Sequence, residues 1–377
     1  MKNFRKVIFW THLTSGIFAG IFIFLMCVTG AIIAFEPDVL DLVEKEMRYV
    51  RPPGENAQKL PLRELVTRVT QKYPEAKPTS VLIKNDSNSA VVISMGREGK
   101  FYVNPYNGEI TGTGAKNWEE FFGFFERMHR WLALDGDART VGKGLNDASN
   151  LLFAFLAISG LYIWFPRNVS WRGFKSILWF RRGLKGKAKN FNWHNTIGFW
   201  SSLVLIILTI TGVVISYQWA GNLVYTLTGN ELPPRRQRSG PDTKTKQPFM
   251  LPDNFDQLAS KAKNHTTWNS ITMNLPVDEK AEFTVDEGIY WNKFGRSNLT
   301  IDAKTGEVTK WEPYGEQNSG RKLRSWIRFT HTGETGGFIG QLIAFLACIG
   351  GAFLVWTGIA LSLNRFKNWR KRNGKDS

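Results

Sequence analysis

Four of the five histidines in this 377-residue chain stand at the ends of long apolar runs, and they form two matched pairs. Laid ungapped over residues 191–215, residues 9–33 give seven identities in 25 columns, His12 on His194 among them. His129 and His331 make the second pair, each in a short segment just ahead of a later apolar run. Imidazole titrates near neutrality and is the commonest protein ligand for transition metals. Two copies of one unit packed around an axis bring equivalent histidines face to face, so each pair offers two axial ligands to one metal centre. Haem b between membrane helices is the centre that fits best, which makes His12, His194, His129 and His331 the expected ligands of two haem irons. Zinc fits less well, because no carboxylate or thiolate accompanies either pair. A plainer account stays open: histidines beside Trp10, Trp131, Trp193 and Trp326 can sit at a membrane interface and bond to headgroups.

Glycines follow the first pair at fixed spacing. Gly16 and Gly30 lie 4 and 18 residues after His12, and Gly198 and Gly212 lie 4 and 18 after His194. Eighteen residues is about five turns at 3.6 residues per turn, so each histidine shares a helix face with its two glycines. Such notches make room for a flat macrocycle, or simply for a neighbouring helix. Arg127, Arg130, Arg324 and Arg328 lie near the second pair and are candidates to hold haem propionates. Arg5, Lys6, Arg181 and Arg182 lie near the first pair and serve equally as topology signals. His265 has no sequence partner and is expected at the surface.

The elements that must position these residues are membrane spans. A mean hydropathy of −0.23 looks soluble, but it averages over apolar runs at residues 7–35, 145–165, 193–219 and 338–363. Each run has ~20 residues or more, enough to cross a hydrocarbon core of ~30 Å, and none has a charge in its central part. The net charge of +17 is confined to the flanks: residues 1–35, 167–191 and 364–377 hold 17 of the 49 bases and one acid, Asp376. Elsewhere 32 bases face 31 acids. By the positive-inside rule these flanks are cytoplasmic, giving four spans with both termini inside. Basic tracts this short and this placed are membrane flanks, which removes the case for nucleic acid. Cys27 and Cys348 both lie in apolar runs and read as small packing residues. The first run is longer than a signal-peptide core of ~7–15 residues and reads as a retained span.

Two exported segments separate the spans. In the first, Leu62, Leu65, Val66 and Val69 have helical spacing and Pro74 stops the helix; strands are expected at 80–83, 90–94 and 100–104. In the second a helix is expected at 255–262, with strands at 270–274, 281–286, 288–291 and 297–302. Residues 101–111 and 299–309 are the same hairpin ending, with Gly108 and Gly306 in matching places. A span, an α+β domain and another span therefore occur twice, as parallel repeats about an axis along the membrane normal. Residues 233–241, with Lys244 and Lys246, read as a linker.

These features resemble the bacterial inner-membrane family with PepSY-associated transmembrane helices. The resemblance rests on the four spans, the paired histidines, the Ser159-Gly160-Leu-Tyr-Ile-Trp-Phe-Pro166-Arg167 end of the second span and the two Gly-Glu hairpins, and covers nearly the whole chain. The fourth span departs from it, ending Trp356-Thr-Gly-Ile-Ala-Leu-Ser-Leu-Asn364-Arg365. The fold class expected is a four-span α-helical membrane bundle of two parallel repeats with two periplasmic α+β PepSY-like domains. Residues 1–35, 129–166, 192–220 and 331–364 are the spans with their outer entry segments, 36–128 and 221–330 the periplasmic domains, and 167–191 and 365–377 the cytoplasmic loop and tail.

The resemblance implies a haem-containing reductase of ferric siderophores in the inner membrane. Electrons would pass from a centre at His12 and His194 to one at His129 and His331, and on to a periplasmic ferric chelate. Iron is released because Fe(II) is held more weakly than Fe(III) by hard oxygen ligands. No GxGxxG is present, and a cytoplasmic loop of about 25 residues is far too short for a Rossmann-type nucleotide domain, so the donor is a quinol or a separate cytoplasmic reductase. Trp118, Trp291, Trp311 and Tyr314 are candidates to dock the chelate, though strand and core packing explains them equally. The rival is a non-enzymatic membrane-anchored PepSY module that binds a periplasmic protease or sensor. A permease is weakened by the absence of intramembrane acids.

Overall fold

The computed structural model describes residues 2–165, 170–232, 249–290, 292 and 294–373. The expected linker, Trp291 and the Pro166-Arg167 end of the second span lie outside the described residues. In chain order the helices and strands are α1 (Lys2–Ile33), α2 (Glu36–Val43), α3 (Lys45–Arg48), α4 (Leu62–Lys72), β1 (Ser80–Lys84), β2 (Val91–Ser94), β3 (Lys100–Val103), β4 (Ile110–Gly112), α5 (Lys116–Trp131), α6 (Ala138–Trp164), α7 (Trp171–Leu178), α8 (Gly186–Ser216) and α9 (Gln218–Leu227). They continue with α10 (Phe255–His265), β5 (Ser270–Asn274), β6 (Lys280–Asp286), β7 (Ser297–Asp302), β8 (Val308–Glu312), α11 (Ser319–His331) and α12 (Gly337–Asn373). They sort into two units: residues 1–36, 120–232 and 319–377 make one, and 37–119 with 233–318 make the other.

The first unit is a membrane bundle. Helices α1, α6, α8 and α12 are long and apolar enough to cross a bilayer, where a helix satisfies its own backbone in the absence of water. They form a ring in which α1 packs on α6 and α12, and α8 packs on the same two. Small residues set the approach of α12: a Cβ at Gly351 would stand 2.6 Å from Cys27 Sγ, and one at Gly350 would stand 3.2 Å from Ser201 Cβ. Cys27 is buried with Ala19, Ile23 and Met26.

The second unit is one eight-stranded antiparallel sheet in the order β4-β3-β2-β1-β5-β6-β7-β8. Alternate residues of its strands face α4 and α10. Leu62, Leu65, Val66 and Val69 of α4, and Phe255, Leu258, Ala259 and Ala262 of α10, share a single core with Val81, Ile93, Ile271, Phe283 and Leu299. The two segments between the spans, expected as two domains, are joined through β1 and β5. Their register is symmetric, with Ser80 opposite Asn274 and Lys84 opposite Ser270. Apart, β1 and β5 would each expose an unpaired edge; paired, each closes the other. The join extends beyond the strands, for the Asn85 amide donates to Asn269 O at 2.8 Å and the Leu275 amide to Thr79 O at 2.9 Å. Residues 288–290, expected as strand, turn away after β6: Gly288 has φ +71° and its N–H donates to Asp286 Oδ1 at 3.1 Å.

Both hairpins close on a glycine that takes a positive φ, +77° at Gly108 and +71° at Gly306, a conformation open to glycine at little cost. The Gly108 amide donates to Asn104 O and the Gly306 amide to Asp302 O, each at 2.9 Å. At the other face of β3, the buried carboxylate of Glu44 accepts from Tyr102 Oη at 2.7 Å, from the Arg48 guanidinium and from the Ala115 amide at 3.2 Å. Burial alone pushes this carboxyl up, but the bonds from Arg48, Tyr102 and Ala115 outweigh it and hold it below the ordinary carboxylate range. A folded-state value below the unfolded one adds stability above the unfolded pKa that is lost as pH falls through the folded one. Glu44→Gln therefore lowers stability by about 1–3 kcal/mol at neutral pH. Thermal unfolding of the detergent-solubilised pair checks this: the gap in Tm is full at pH 7 and closes in acid below the usual carboxylate range.

Candidate functional site

Each of the four membrane histidines meets a hydroxyl and a glycine from a neighbouring helix. His12 of α1 faces α6, where Ser159 Oγ lies 2.8 Å from Nδ1 and a Cβ at Gly160 would stand 3.2 Å from Cε1. His194 of α8 faces α12 in the same way, with Thr357 Oγ1 at 2.8 Å and Gly358 at 3.6 Å. At the other end the roles of the helices exchange. His129 of α5 is held by α1, through Thr29 Oγ1 at 3.0 Å and Met26 O at 3.1 Å, and a Cβ at Gly30 would stand 3.3 Å from Cε1. His331, the last residue of α11, is held by α8, through Thr211 Oγ1 at 3.0 Å and Leu208 O at 2.9 Å, with Gly212 at 3.2 Å.

The second pair of histidines meets as the sequence alignment predicts, with the His129 and His331 ring centroids 6.3 Å apart at 53°. His12 and His194 hold matching places on α1 and α8, facing Ser159 and Thr357. Two imidazoles on opposite sides of one metal, each nitrogen at about 2 Å, put their ring centroids roughly 6 Å apart. His129 and His331 have that spacing. Among the described residues no group of three or more His, Cys, Asp or Glu converges on one point. His129 is placed by a tight reversal after α5, where Leu132 at φ 60° and Ala133 at φ 52° take the left-handed conformation that costs side-chain-bearing residues about 1–2 kcal/mol each.

The glycines divide. Gly30 and Gly212 abut the second pair of histidines, but Gly16 faces Leu156 at 3.9 Å and Gly198 faces Leu354 at 3.4 Å. The notches beside His12 and His194 are Gly160 and Gly358, on the partner helices. Spacing along one helix fixes which residues share its face, while the neighbour's offset fixes what they meet. The residues that sequence reasoning missed are Thr29, Ser159, Thr211 and Thr357. Their signal was present as a hydroxyl–glycine dipeptide in every span, although α1 carries a second one, Ser15-Gly16, that meets no histidine.

The arginine candidates are variously engaged. Arg130 pairs with Glu126 at 2.8 Å and lies 4.8 Å over the Trp131 ring. The Arg324 guanidinium packs against Gly221 of α9, and Arg127 lies beside Gly123 of its own helix; Arg328 is exposed. At the first end Arg5 donates to Phe165 O at 3.0 Å, and the Arg181 amide donates to Asn192 Oδ1 at 3.0 Å. Two buried indole donors, Trp131 Nε1 and Trp164 Nε1, have no hydrogen-bond partner. Trp131 is two residues from His129 and Trp164 four from Gly160. Of the docking candidates, Trp118 is exposed, Trp311 packs on the sheet core, and Tyr314 bonds Asn292 at 2.8 Å. His265 is exposed, its ring edge-on to Trp311 at 4.8 Å.

One expectation needs correcting: α6 does carry a buried acid. Asp147 is 8% exposed and pairs with Lys143 one turn earlier, whose ammonium also donates to Ser216 O at 3.1 Å. The pairing makes the burial affordable and hides the acid at the end of an apolar run. Beside it Asn146 Nδ2 donates to His129 O at 2.5 Å, which ties α6 to the turn that presents the histidine.

No curated protein matches the chain. Residues 9–365 match the family described as the PepSY-associated TM region, a stretch that takes in all four spans and all four paired histidines. The chain belongs to the PepSY-associated TM family.

Proposed function

We propose that this protein is a transmembrane electron conduit of the inner membrane, built from two parallel repeats, that reduces a periplasmic ferric chelate of the siderophore class. The observation that carries this reading is the 6.3 Å spacing of the His129 and His331 rings, with the same hydroxyl-and-glycine setting at His12 and His194. When bound, a bis-imidazole haem b at each pair supplies one-electron carriage between its ferric and ferrous states.

The chain's own residues do the rest. His12 and His194 hold the inner centre near the basic flanks, which the positive-inside rule assigns to the cytoplasm. His129 and His331 hold the outer centre at the periplasmic edge. The unpartnered indole N–H groups of Trp131 and Trp164 are available donors for carboxylates near the two centres, and Arg127, Arg324 and Arg328 add positive charge around the outer one, where Arg130 is offset by Glu126. Asp147 and Lys143 neutralise each other, and Arg139 of α6, 4.0 Å over the Trp131 ring, leaves one positive charge next to the turn that carries His129. Each ferric ion reduced takes one electron, and the source is a quinol or a separate cytoplasmic reductase. The ferrous product leaves the chelate because hard oxygen ligands hold it weakly.

Purified from haem-replete cells, the protein is expected to be red, with a Soret band that shifts on adding dithionite. A colourless preparation overturns the reading. His12→Ala and His129→Ala each remove one haem of two, measured as the pyridine haemochrome-to-protein ratio; loss of neither shows that the ligands are misassigned. In proteoliposomes with a quinol donor, either variant lowers reduction of an external ferric chelate to the uncatalysed level.

A further inference from the structure

Thr29-Gly30, Ser159-Gly160, Thr211-Gly212 and Thr357-Gly358 place one hydroxyl and one glycine on each of the four spans, and every dipeptide meets a histidine on another helix. We infer that these four dipeptides are the positioning elements of the two centres: the hydroxyl fixes the proton on Nδ1, and the glycine leaves the ring room to aim Nε2 at its partner.

The proton count supports this. A hydroxyl has one hydrogen to give. Thr29 Oγ1 gives it to Leu25 O at 2.7 Å, Thr211 Oγ1 to Ile207 O at 2.7 Å and Thr357 Oγ1 to Phe353 O at 2.8 Å. Ser159 Oγ is turned toward Leu156 O at 3.4 Å. With its hydrogen given to its own helix, each of the three threonine hydroxyls meets the imidazole as an acceptor, so Nδ1 is the nitrogen that donates there, and Ser159 takes the matching place at His12. At His129 and His331 the second neighbour of Nδ1 is a carbonyl, which can only accept. In a neutral imidazole the other nitrogen then carries the lone pair, so Nε2 is free to ligate and its basicity is raised by the bond on Nδ1. Glycine completes the device. A methyl at Gly30, Gly160 or Gly212 would stand 3.2–3.3 Å from Cε1, the carbon between the two nitrogens, and would press on the ring and shift it from its place beside the hydroxyl by a few tenths of an ångström.

The inference rests on the two-centre reading above only for what Nε2 binds. It is tested in the full-length chain with Thr29→Val, which keeps the shape and loses the hydroxyl, and Thr29→Ser, which keeps the hydroxyl. In the haem-loaded protein Thr29→Val is expected to weaken one centre's hold on haem by roughly 10- to 100-fold, read by transfer to apomyoglobin. The same variant raises that centre's midpoint potential and leaves the other unchanged, and Thr29→Ser restores both quantities. Wild-type affinity and potential in Thr29→Val overturn the inference, as does failure of Thr29→Ser to rescue. In full-length protein from haem-deficient cells, nitrogen spectra of 15N-labelled histidine report the tautomer directly. Protonated Nδ1 with bare Nε2 is expected at the four membrane histidines, and protonated Nε2 overturns the inference. If the wild type proves colourless, the function proposed above falls, while the nitrogen spectra still decide the role of the hydroxyls.

Discussion

A hydrogen bond between an imidazole Nδ1 and a hydroxyl on a neighbouring span recurs at all four paired histidines, and the membrane bundle is arranged around it. In a bilayer no water is at hand to satisfy a polar side chain, so a histidine there needs a protein partner. The partner must come from another helix, because an imidazole cannot easily reach back to its own hydrogen-bonded backbone. Four such bonds tie α1 to α6 and α5, and α8 to α12 and α11. Two of these pairs, α1 with α6 and α8 with α12, are also packing neighbours in the ring. There the histidines are satisfied and the spans are packed by the same contacts.

Small residues make those contacts possible. Helices in lipid gain little from burying apolar surface against one another, and their association depends on close approach and on hydrogen bonds. Gly350 and Gly351 bring α12 onto α8 and α1, against Ser201 and Cys27, while Gly30, Gly160, Gly212 and Gly358 each admit a ring. The buried polar residues follow the same logic. Thr29, Thr209, Thr211 and Thr357 all return their hydrogen to a carbonyl of their own helix, so none is left unsatisfied. Asp147 is tolerated beside Lys143 for the same reason.

The sheet unit obeys a different constraint, that of the strand edge. A four-stranded sheet backed by one helix leaves a row of unpaired backbone groups, and two such sheets of like sequence pair through the strands they share in kind. The symmetric register of β1 and β5 and the continuous core under α4 and α10 express that solution. Each half contributes what its sequence pattern promised, a helix and a meander with a glycine hairpin. The apolar pattern of α4 was readable because Leu62, Leu65, Val66 and Val69 repeat at helical spacing, and all four are buried. Residues 288–290 misread as strand because composition cannot tell a strand from a turn that Gly288 closes.

Local and periodic information was enough to define the spans, the matched histidines, the hairpin glycines and the concentration of positive charge in three flanking segments. These depend on neighbours in sequence or on the thickness of the bilayer, and one sequence carries both. It was also enough to put His12, Gly16 and Gly30 on one face. What each face meets was decided by tertiary structure. Gly30 lies against His129, Gly16 lies against a leucine, and the notch beside His12 comes from α6. The same holds for Ser159 and Thr357, whose place in an apolar run gave no hint of a partner more than 140 residues away. The joining of β1 to β5 was likewise invisible, since an edge strand and a central strand can share one alternating pattern. Contacts between elements depend on helix offset, rotation and strand pairing, and a one-dimensional period contains none of these.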